Sequence, residues 1–325
     1  MNLWMYIVRR VAAIFPMFIL ITAITFGLLH LAGDPVEIMM AEREAQFITG
    51  ETIDNIRRRL GLDQPLHMQY LVWVGNTMRG DLGYSFLSNQ PVVNLISNSI
   101  LNTLRLMLVG ECITLFLAIN FGVFSAVHRN SKLDTVVSLL SMFGWSMPFF
   151  WVGLVAILIF SLYLGWFPSH GSVSIMPVTA TQLDMLADQL WHLALPAAVL
   201  SVSNLAYLFR LVKTSMLGVL DKAYVTTARS KGLPERVVIY KHALRNALLP
   251  VITVIGLDIG RMFAGAAVLE IVFSYPGMGN LLVTSALVRD FPTVLGTTTV
   301  IGVMVLVGNM ISDVGYALAD PRVRY

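Results

Sequence analysis

The run VAAIFPMFILITAITFGLLHL at residues 11–31 decides the class of structure that this chain adopts. It is 21 residues long and contains no Asp, Glu, Lys or Arg. A helix of about 20 mainly apolar residues is long enough to cross the hydrocarbon core of a bilayer. Arg9 and Arg10 precede the run, and no small-residue cleavage site follows it before the acidic GDPVE at 33–37. We therefore interpret it as a retained first membrane helix rather than a signal peptide.

The composition of the whole chain is typical of an integral membrane protein. Of its 325 residues, 56% are hydrophobic and 13% are charged, whereas soluble domains have about 25% charged residues. The alternating segments of about 10 residues that form barrel strands are absent, so we expect an all-α fold in a lipid bilayer.

Cys112 is the only cysteine, which excludes a disulfide framework and a cysteine-based metal site. Positive-inside bias explains the net charge of +3 without a nucleic acid partner.

Further apolar runs follow the first, which gives about six predicted membrane spans. They cover residues 11–31, 100–127, 135–165, 192–217, 250–272 and 293–317. Pro148 lies inside the third run, so we expect a kink or a break there. No internal repeat is visible, which argues against a secondary transporter built from inverted halves.

The charged residues predict which side of the membrane each connection faces. With the N-terminus inside, the inner segments hold 14 Lys and Arg against 4 Asp and Glu, and the outer segments hold 6 against 11. The inner segments are 1–10, 128–134, 210–249 and 319–325, and the outer ones are 32–99, 166–191 and 274–292. Because Lys and Arg are enriched on the cytoplasmic side, we expect both termini to be cytoplasmic in a cell membrane.

Residues 32–99 form the first of two polar pieces between the spans, and we expect them outside the membrane. ETIDNIRRRLG at 51–61 and QPLHMQYLVWVGNTMRG at 64–80 have the apolar spacing and the end signals of short amphipathic helices. These helices are expected to lie over the outer face. We divide the chain accordingly into residues 1–99, the first span with this external helical region, and residues 100–325, the core.

The second polar piece, 218–249, is too long for a simple connection. Its AYVTTARSKG segment favours a helix, which Gly232 followed by Leu233 and Pro234 would end. A second helical run over 235–248 completes a cytoplasmic elbow of two helices with a tight break. A basic loop that only anchors membrane orientation would need the charge but not this break. We therefore favour a surface that another protein recognises.

The elbow carries a motif through which the chain resembles a known family. An alanine, three further residues, a glycine and a hydrophobic run ending in Leu-Pro resemble the signature cytoplasmic loop of ABC importer permeases. Here these are Ala228, Gly232 and Leu249-Pro250, while Thr226 stands where the broad family often has a glutamate. The blocks TARSKGL and HALRNALLPV are similar to the dipeptide, oligopeptide and nickel branch. Further blocks similar to that branch are GDP at 33–35, LGLDQPLHMQY at 60–70, GDLGYSF at 80–86, SMPFFW at 146–151, EIVFSYPGMGNLL at 270–282, RDFP at 289–292 and DPRVR at 320–324.

The resemblance implies a type I ABC importer transmembrane domain that works by alternating access. Such a permease pairs with a second homologous permease, is powered by two cytoplasmic ATPases that hold ATP and Mg, and receives its ligand from an external binding protein. The implied ATPase-coupling loop comprises Thr226, Thr227, Ala228, Arg229, Ser230, Lys231, Gly232 and Leu233. The implied cargo is di- and oligopeptides, with nickel chelates, glutathione, opines or oligosaccharides as alternatives.

Four residues in the loop suit contact with an ATPase. Gly232 would allow close backbone approach, and Ala228 would keep the helix thin. Arg229 and Lys231 would meet acidic groups on the partner.

Ionisable residues inside the spans are candidates for function. Asp258 and Arg261 are three residues apart on the fifth span, so they share a helix face. They are interpreted as a translocation-path pair or, with more weight, as a structural pair facing a neighbouring helix. Glu111 is a possible path residue that we favour as a buried hydrogen-bonding group. Arg105 and Glu270 lie near the outer ends of spans and are expected to reach toward water.

Motifs of catalysis are absent. The sequence has no GxSxG, no HExxH and no Walker GxxxxGK[ST], so we expect no catalytic residues, no metal and no ATP hydrolysis by this chain itself. The alternative from another class is a gradient-driven channel or secondary transporter that uses Asp258, Glu111 or Asp313. The long elbow argues against it, because a channel does not need one.

Overall fold

The computed structural model describes residues 3–31, 63–174, 181–262 and 267–319, with the backbone alone at 3–11, 253, 257–261 and 313–319. Within these ranges the chain is helical, with one isolated bridge between Tyr84 and Pro91 and no strand, which confirms the all-α prediction. The helices are α1 (Leu3–Leu31), α2 (Leu66–Met78), α3 (Val92–Val127), α4 (Lys132–Ser146), α5 (Phe149–Tyr163), α6 (Gln182–Leu220), α7 (Ala223–Ser230), α8 (Glu235–Ala247), α9 (Leu249–Met262), α10 (Ala267–Val272), α11 (Met278–Leu287) and α12 (Phe291–Ala319).

Four of these helices, α1, α3, α6 and α12, are each long and apolar enough to cross a membrane. Two bent pairs, α4 with α5 and α8 with α9, bring the number to six if each pair counts as one span. The prediction of about six spans is therefore the upper end of what the described helices provide.

The third predicted span, 135–165, differs most from its expected form. Instead of one kinked helix, the structure has α4 and α5 at 103° to each other. Pro148 precedes α5 with φ −59°, and Met147 before it is extended at ψ 138°, the conformation that a residue before proline prefers. The break at Pro148 is confirmed, and its angle excludes a single straight span. The second half of α5, Ile157–Tyr163, is π-helical.

Helices α3 and α6 form the most extensive helix pair of the bundle. A Cβ on Gly110 would lie 2.6 Å from Leu200 Cδ2, and a Cβ on Gly122 would lie 2.6 Å from Val212 Cγ1. The contacts advance together along both helices, so the two helices are parallel. Glycine at both positions lets the backbones approach closely, as small residues do between membrane helices.

Both helices begin earlier than the apolar runs predict, at Val92 and Gln182 instead of 100 and 192. The residues before the apolar runs include Asn and Ser in α3 and Asp and Gln in α6, yet they remain helical. Thr181 caps α6: its Oγ1 accepts the backbone N–H of Asp184 at 3.3 Å, and its own N–H donates to the Asp184 carboxylate at 2.8 Å. A helix of the length of α3 is about 54 Å long, so it extends beyond a hydrocarbon core of about 30 Å.

Helix α2 confirms the helix predicted to begin after Pro65 but not its expected position. The hydroxyl of Tyr70 lies 2.9 Å from Thr22 Oγ1, and its ring meets Phe26 edge-on with centroids 5.5 Å apart. Because Thr22 and Phe26 lie within α1, α2 packs along the side of α1 and not over the outer face. The other helix predicted in this region, at 51–61, lies outside the described residues.

Candidate functional site

The elbow at 218–249 has the predicted shape of two helices joined by a tight break. Helix α7 ends at Ser230, Gly232 has φ +72°, and Pro234 precedes α8. The backbone N–H of Gly232 donates to the carbonyl oxygen of Arg229 at 2.9 Å, which closes the last turn of α7. Because a positive φ costs glycine little, the turn itself requires glycine at this position.

One face of the elbow is buried against the membrane helices. A single apolar cluster joins both arms of the elbow to α3 and α6. Its members are Ala118, Val123, Ala126, Leu208, Val212, Met216, Val225, Ala228, Val238, Ile239, Ala243, Ala247 and Val251. Part of the second arm, Val238–Ala243, is π-helical, a form that recurs at functional sites. Since close-packed interiors transmit strain, a force on the elbow reaches α3 and α6 directly.

Ala228 belongs to this buried face, which corrects its expected role. Its side chain is 6% exposed and packs in the cluster that contains Val238 and Ile239. The small side chain therefore lets α7 lie close to α8. It is not part of the surface that a partner protein would contact.

The opposite face of the elbow is exposed. It carries the other members of the predicted coupling loop, Thr226, Thr227, Arg229, Ser230, Lys231, Gly232 and Leu233. A Cβ on Gly232 would meet no atom within 4 Å, so nothing in the described chain crowds the break. Leu233 places a 38% exposed apolar side chain directly after it. The break thus presents open backbone, one apolar side chain and the neighbouring Lys231.

Arg229 is already paired within the elbow, whereas a partner contact was expected. Its Nη2 donates to Glu235 Oε1 at 2.7 Å and its Nε donates to the same oxygen at 3.2 Å. The hydrogen bond from Arg229 lowers the pKa of Glu235 below its ordinary value. The two side chains are 44% and 53% exposed, and exposed pairs contribute only about 0.2–1 kcal/mol. Lys231 makes no ion pair with any described residue, so it is the more available cation.

A buried ion pair holds α4 beside α6 close to the elbow. Lys213 Nζ donates to the carboxylate of Asp134, which is 5% exposed, and also to Ser138 Oγ at 3.2 Å. The guanidinium of Arg210 lies 4.5 Å from the ring centroid of Trp145. Because removing one partner of a buried pair costs about 3–5 kcal/mol, α4 is expected to move together with α6.

At the other end of the bundle, the block EIVFSYPGMGNLL folds around the carboxylate of Glu270. Thr103 Oγ1 donates to Glu270 Oε1 at 2.7 Å, and the backbone N–H of Asn280 donates to Oε2 at 2.9 Å. A Cβ on Gly277 would lie 2.3 Å from Oε1, so the loop closes only with glycine there. Glu270 is 0% exposed. The expectation that it reaches toward water is wrong, because protein donors replace the solvent.

A second junction joins the blocks GDLGYSF and RDFP through Asp290. Ser85 Oγ donates to Asp290 Oδ2 at 2.5 Å, and the backbone N–H of Phe86 donates to Oδ1 at 3.0 Å. Thr293 Oγ1 adds a third bond at 2.7 Å. Sequence reasoning found these blocks but missed that their carboxylates are the centres of two junctions. The available signal was a carboxylate next to glycine or hydroxyl residues in an otherwise apolar chain.

The residues predicted to line a translocation path have mixed outcomes. Asp258 and Arg261 lie on α9, but their side chains are outside the described part, so their shared role stays a prediction. Glu111 is 8% exposed and faces the interior of the chain. Among the residues that the structure describes, no group of three or more His, Cys, Asp or Glu could hold a metal ion.

Known proteins match the chain over nearly its whole length. The model of a family described as binding-protein-dependent transport system inner membrane component matches residues 118–325. The model of the corresponding N-terminal region matches residues 3–107. An oligopeptide transport system permease protein of Bacillus subtilis is 41% identical over 322 residues, which cover 98% of this chain and 99% of that one. A putative peptide permease protein of Brucella suis is 42% identical over 321 residues, 98% of each chain. A di/tripeptide transport system permease protein of Pseudomonas aeruginosa is 39% identical over 334 residues, again 98% of each.

Proposed function

The chain belongs to the family of binding-protein-dependent transport system inner membrane components, and from that premise we propose that it carries di- and oligopeptides across a cell membrane. It is a multi-pass permease subunit, and its family depends on a binding protein. The peptide cargo is supported by relatives named oligopeptide and di/tripeptide permeases that align over 98% of this chain.

The elbow supports the proposal that the driving force comes from other subunits. Its outer face exposes Lys231, the open backbone of Gly232 and Leu233, while its inner face packs on α3 and α6. We infer that a cytoplasmic ATPase binds the outer face, and that closure of the ATPases on ATP and Mg displaces the elbow. The buried cluster then tilts α3 and α6, which alternates access to the path.

The proposed assembly contains a second homologous permease, two ATPases and an external binding protein. This chain contributes no catalytic residue and binds no cofactor of its own. Lys and Arg number 14 against 4 acids in the segments placed inside and 6 against 11 in those placed outside. That bias supports cytoplasmic termini and a cytoplasmic elbow.

Substitution of Gly232 by glutamate tests the coupling. The new side chain adds bulk and negative charge at the break, and a φ of +72° costs a non-glycine residue about 1–2 kcal/mol. We expect membrane insertion to stay intact, while peptide uptake falls at least about tenfold and the loaded binding protein no longer stimulates ATP hydrolysis. Gly80→Glu is the matched control, because Gly80 also has a positive φ, +84°, and a Cβ there also meets nothing within 4 Å, but it lies after α2 and outside the elbow.

Normal uptake by the Gly232→Glu complex would contradict the coupling role. The same reconstituted complex also tests the cargo, since peptides, nickel chelates, glutathione and oligosaccharides can each be offered with the binding protein. A gradient-driven transporter would instead move its substrate with this chain alone and without ATP.

A further inference from the structure

A cavity of about 320 Å³ opens at the end of the bundle opposite the elbow. It lies between residues 102–109 of α3 and residues 186–193 of α6, and Ser172 and Tyr275 also line it. Gln189, which lines the cavity, and Leu220, where α6 reaches the elbow, are separated by about 46 Å of helix at 1.5 Å per residue. If the elbow is cytoplasmic, the cavity therefore faces the outside, where a binding protein releases its ligand.

Arg105 is the only charged residue that lines the cavity among the described residues. Its Nη1 contacts Gln189 Oε1 at 3.4 Å, a long hydrogen bond. No carboxylate in the described ranges forms an ion pair with it. Asp188, which precedes the cavity residue Gln189, accepts the backbone N–H of Ser174 at 2.7 Å and pairs with His192 at 3.4 Å. Arg105 is itself exposed, so its positive charge lies at this concave site with no carboxylate partner among the described residues.

The other polar groups of the cavity are neutral donors. Asn102 Nδ2 donates to the carbonyl of Pro276 at 3.0 Å, and an amide NH₂ has a second hydrogen to offer. Burial raises the pKa of Tyr275 to about 12, against the opposing charge of Arg105, so its phenol stays protonated at physiological pH. Val109 and Leu193 form an apolar part of the cavity wall. The cavity therefore combines one fixed cation with neutral donors, which is the chemistry of an anion site.

We propose that this cavity is a subsite for the C-terminal carboxylate of the transported peptide, with Arg105 as the residue that binds it. The inference rests on the proposed peptide cargo and extends it to a named contact. The planar guanidinium matches a carboxylate in a two-bond arrangement. A volume of about 320 Å³ corresponds to roughly ten water molecules at about 30 Å³ each, enough for a terminal residue. A concave, walled site also favours a small ligand over the flatter surface of a protein partner.

Uptake of matched peptides by the reconstituted complex tests the subsite. Short labelled alanine peptides are offered as free acids and as C-terminal amides to complexes that contain wild-type permease, Arg105→Gln or Arg105→Lys. Because the binding protein is the same throughout, its own preference cancels when the ratio of acid to amide uptake is compared between the permease variants. A charge-assisted hydrogen bond of typical strength corresponds to about a tenfold change. We therefore expect Arg105→Gln to lower the ratio about tenfold, and Arg105→Lys to retain part of it.

Arg79→Gln is the matched control, since Arg79 is exposed and does not line the cavity. It should leave the ratio of acid to amide uptake unchanged, and all variants should keep wild-type abundance and basal ATP hydrolysis.

An equal loss of uptake of both peptides in Arg105→Gln would overturn the subsite, as would an unchanged ratio. An effect that appears only in vesicles with anionic lipid would assign Arg105 to lipid phosphate instead. Weakened docking of the loaded binding protein would assign it to that partner. A wild-type complex that imports neither peptide would contradict the cargo itself, a failure that is distinct from an unchanged ratio.

Discussion

Gly277 lies where a side chain has no room. Its Cβ would stand 2.3 Å from Oε1 and 2.6 Å from Oε2 of Glu270, so Gly277→Ala must displace the carboxylate from its donors. We expect a loss of about 1–3 kcal/mol, typical of overpacking, seen as a lower midpoint of thermal unfolding in detergent. Gly75→Ala is the control, because it is helical and meets nothing within 4 Å; it should be neutral or stabilising by about 0.4–1 kcal/mol. Equal responses of the two variants would contradict this packing.

Gly232 and Glu270 show which single residues can be interpreted from sequence. The break at Gly232 is set by its neighbours in the chain, so local signals predicted it, and its φ of +72° confirms them. Glu270 owes its environment to Thr103, which is 167 positions away in sequence, and to the loop that folds back over it. Position near a helix end predicted exposure, but tertiary contacts made the residue 0% exposed.

The contact between α7 and α8 is the element through which the proposed coupling would transmit force. Ala228 is 6% exposed within it, so Ala228→Leu inserts a bulky group between the two arms of the elbow. We expect a cost of about 1–3 kcal/mol and a displaced break, measured as lower uptake with normal membrane insertion. Thr227→Leu makes a similar change on the exposed face and should leave the arms in place. If Thr227→Leu destabilises the permease and Ala228→Leu does not, the assignment of the two faces is wrong.

The presence of the helices could be predicted from the sequence, but their end residues and the angles between them could not. Hydropathy detects only the apolar part of a helix, so it missed the beginnings of α3 and α6, which start at Val92 and Gln182. Pro148 predicted a break between α4 and α5, but the 103° angle depends on what each half packs against. α4 is held to α6 by Asp134 and Lys213, two residues that no local pattern connects.

At the scale of the whole molecule, the long parallel helices α3 and α6 have different chemistry at their two ends. The elbow packs on one end through a continuous apolar cluster, and the junctions of Glu270 and Asp290 close the other end. Uncompensated positive charge occurs at both ends, on exposed Lys231 and on Arg105 in its cavity. We interpret the difference between the two ends as a division of roles: an ATPase acts on the elbow at one end, and the transported ligand binds at the other.

Site-specific cross-linking from the elbow to the ATPase tests this arrangement most directly. Cys112 is the only cysteine, so Cys112→Ala gives a background in which Lys231→Cys and Leu183→Cys each place one photo-reactive label. Leu183 is 77% exposed at the far end of α6 and is the control. We expect the label at Lys231 to cross-link to an ATPase subunit in the assembled complex and the label at Leu183 not to do so. Cross-linking of an ATPase from Leu183 with none from Lys231 would contradict both the orientation and the coupling role of the elbow.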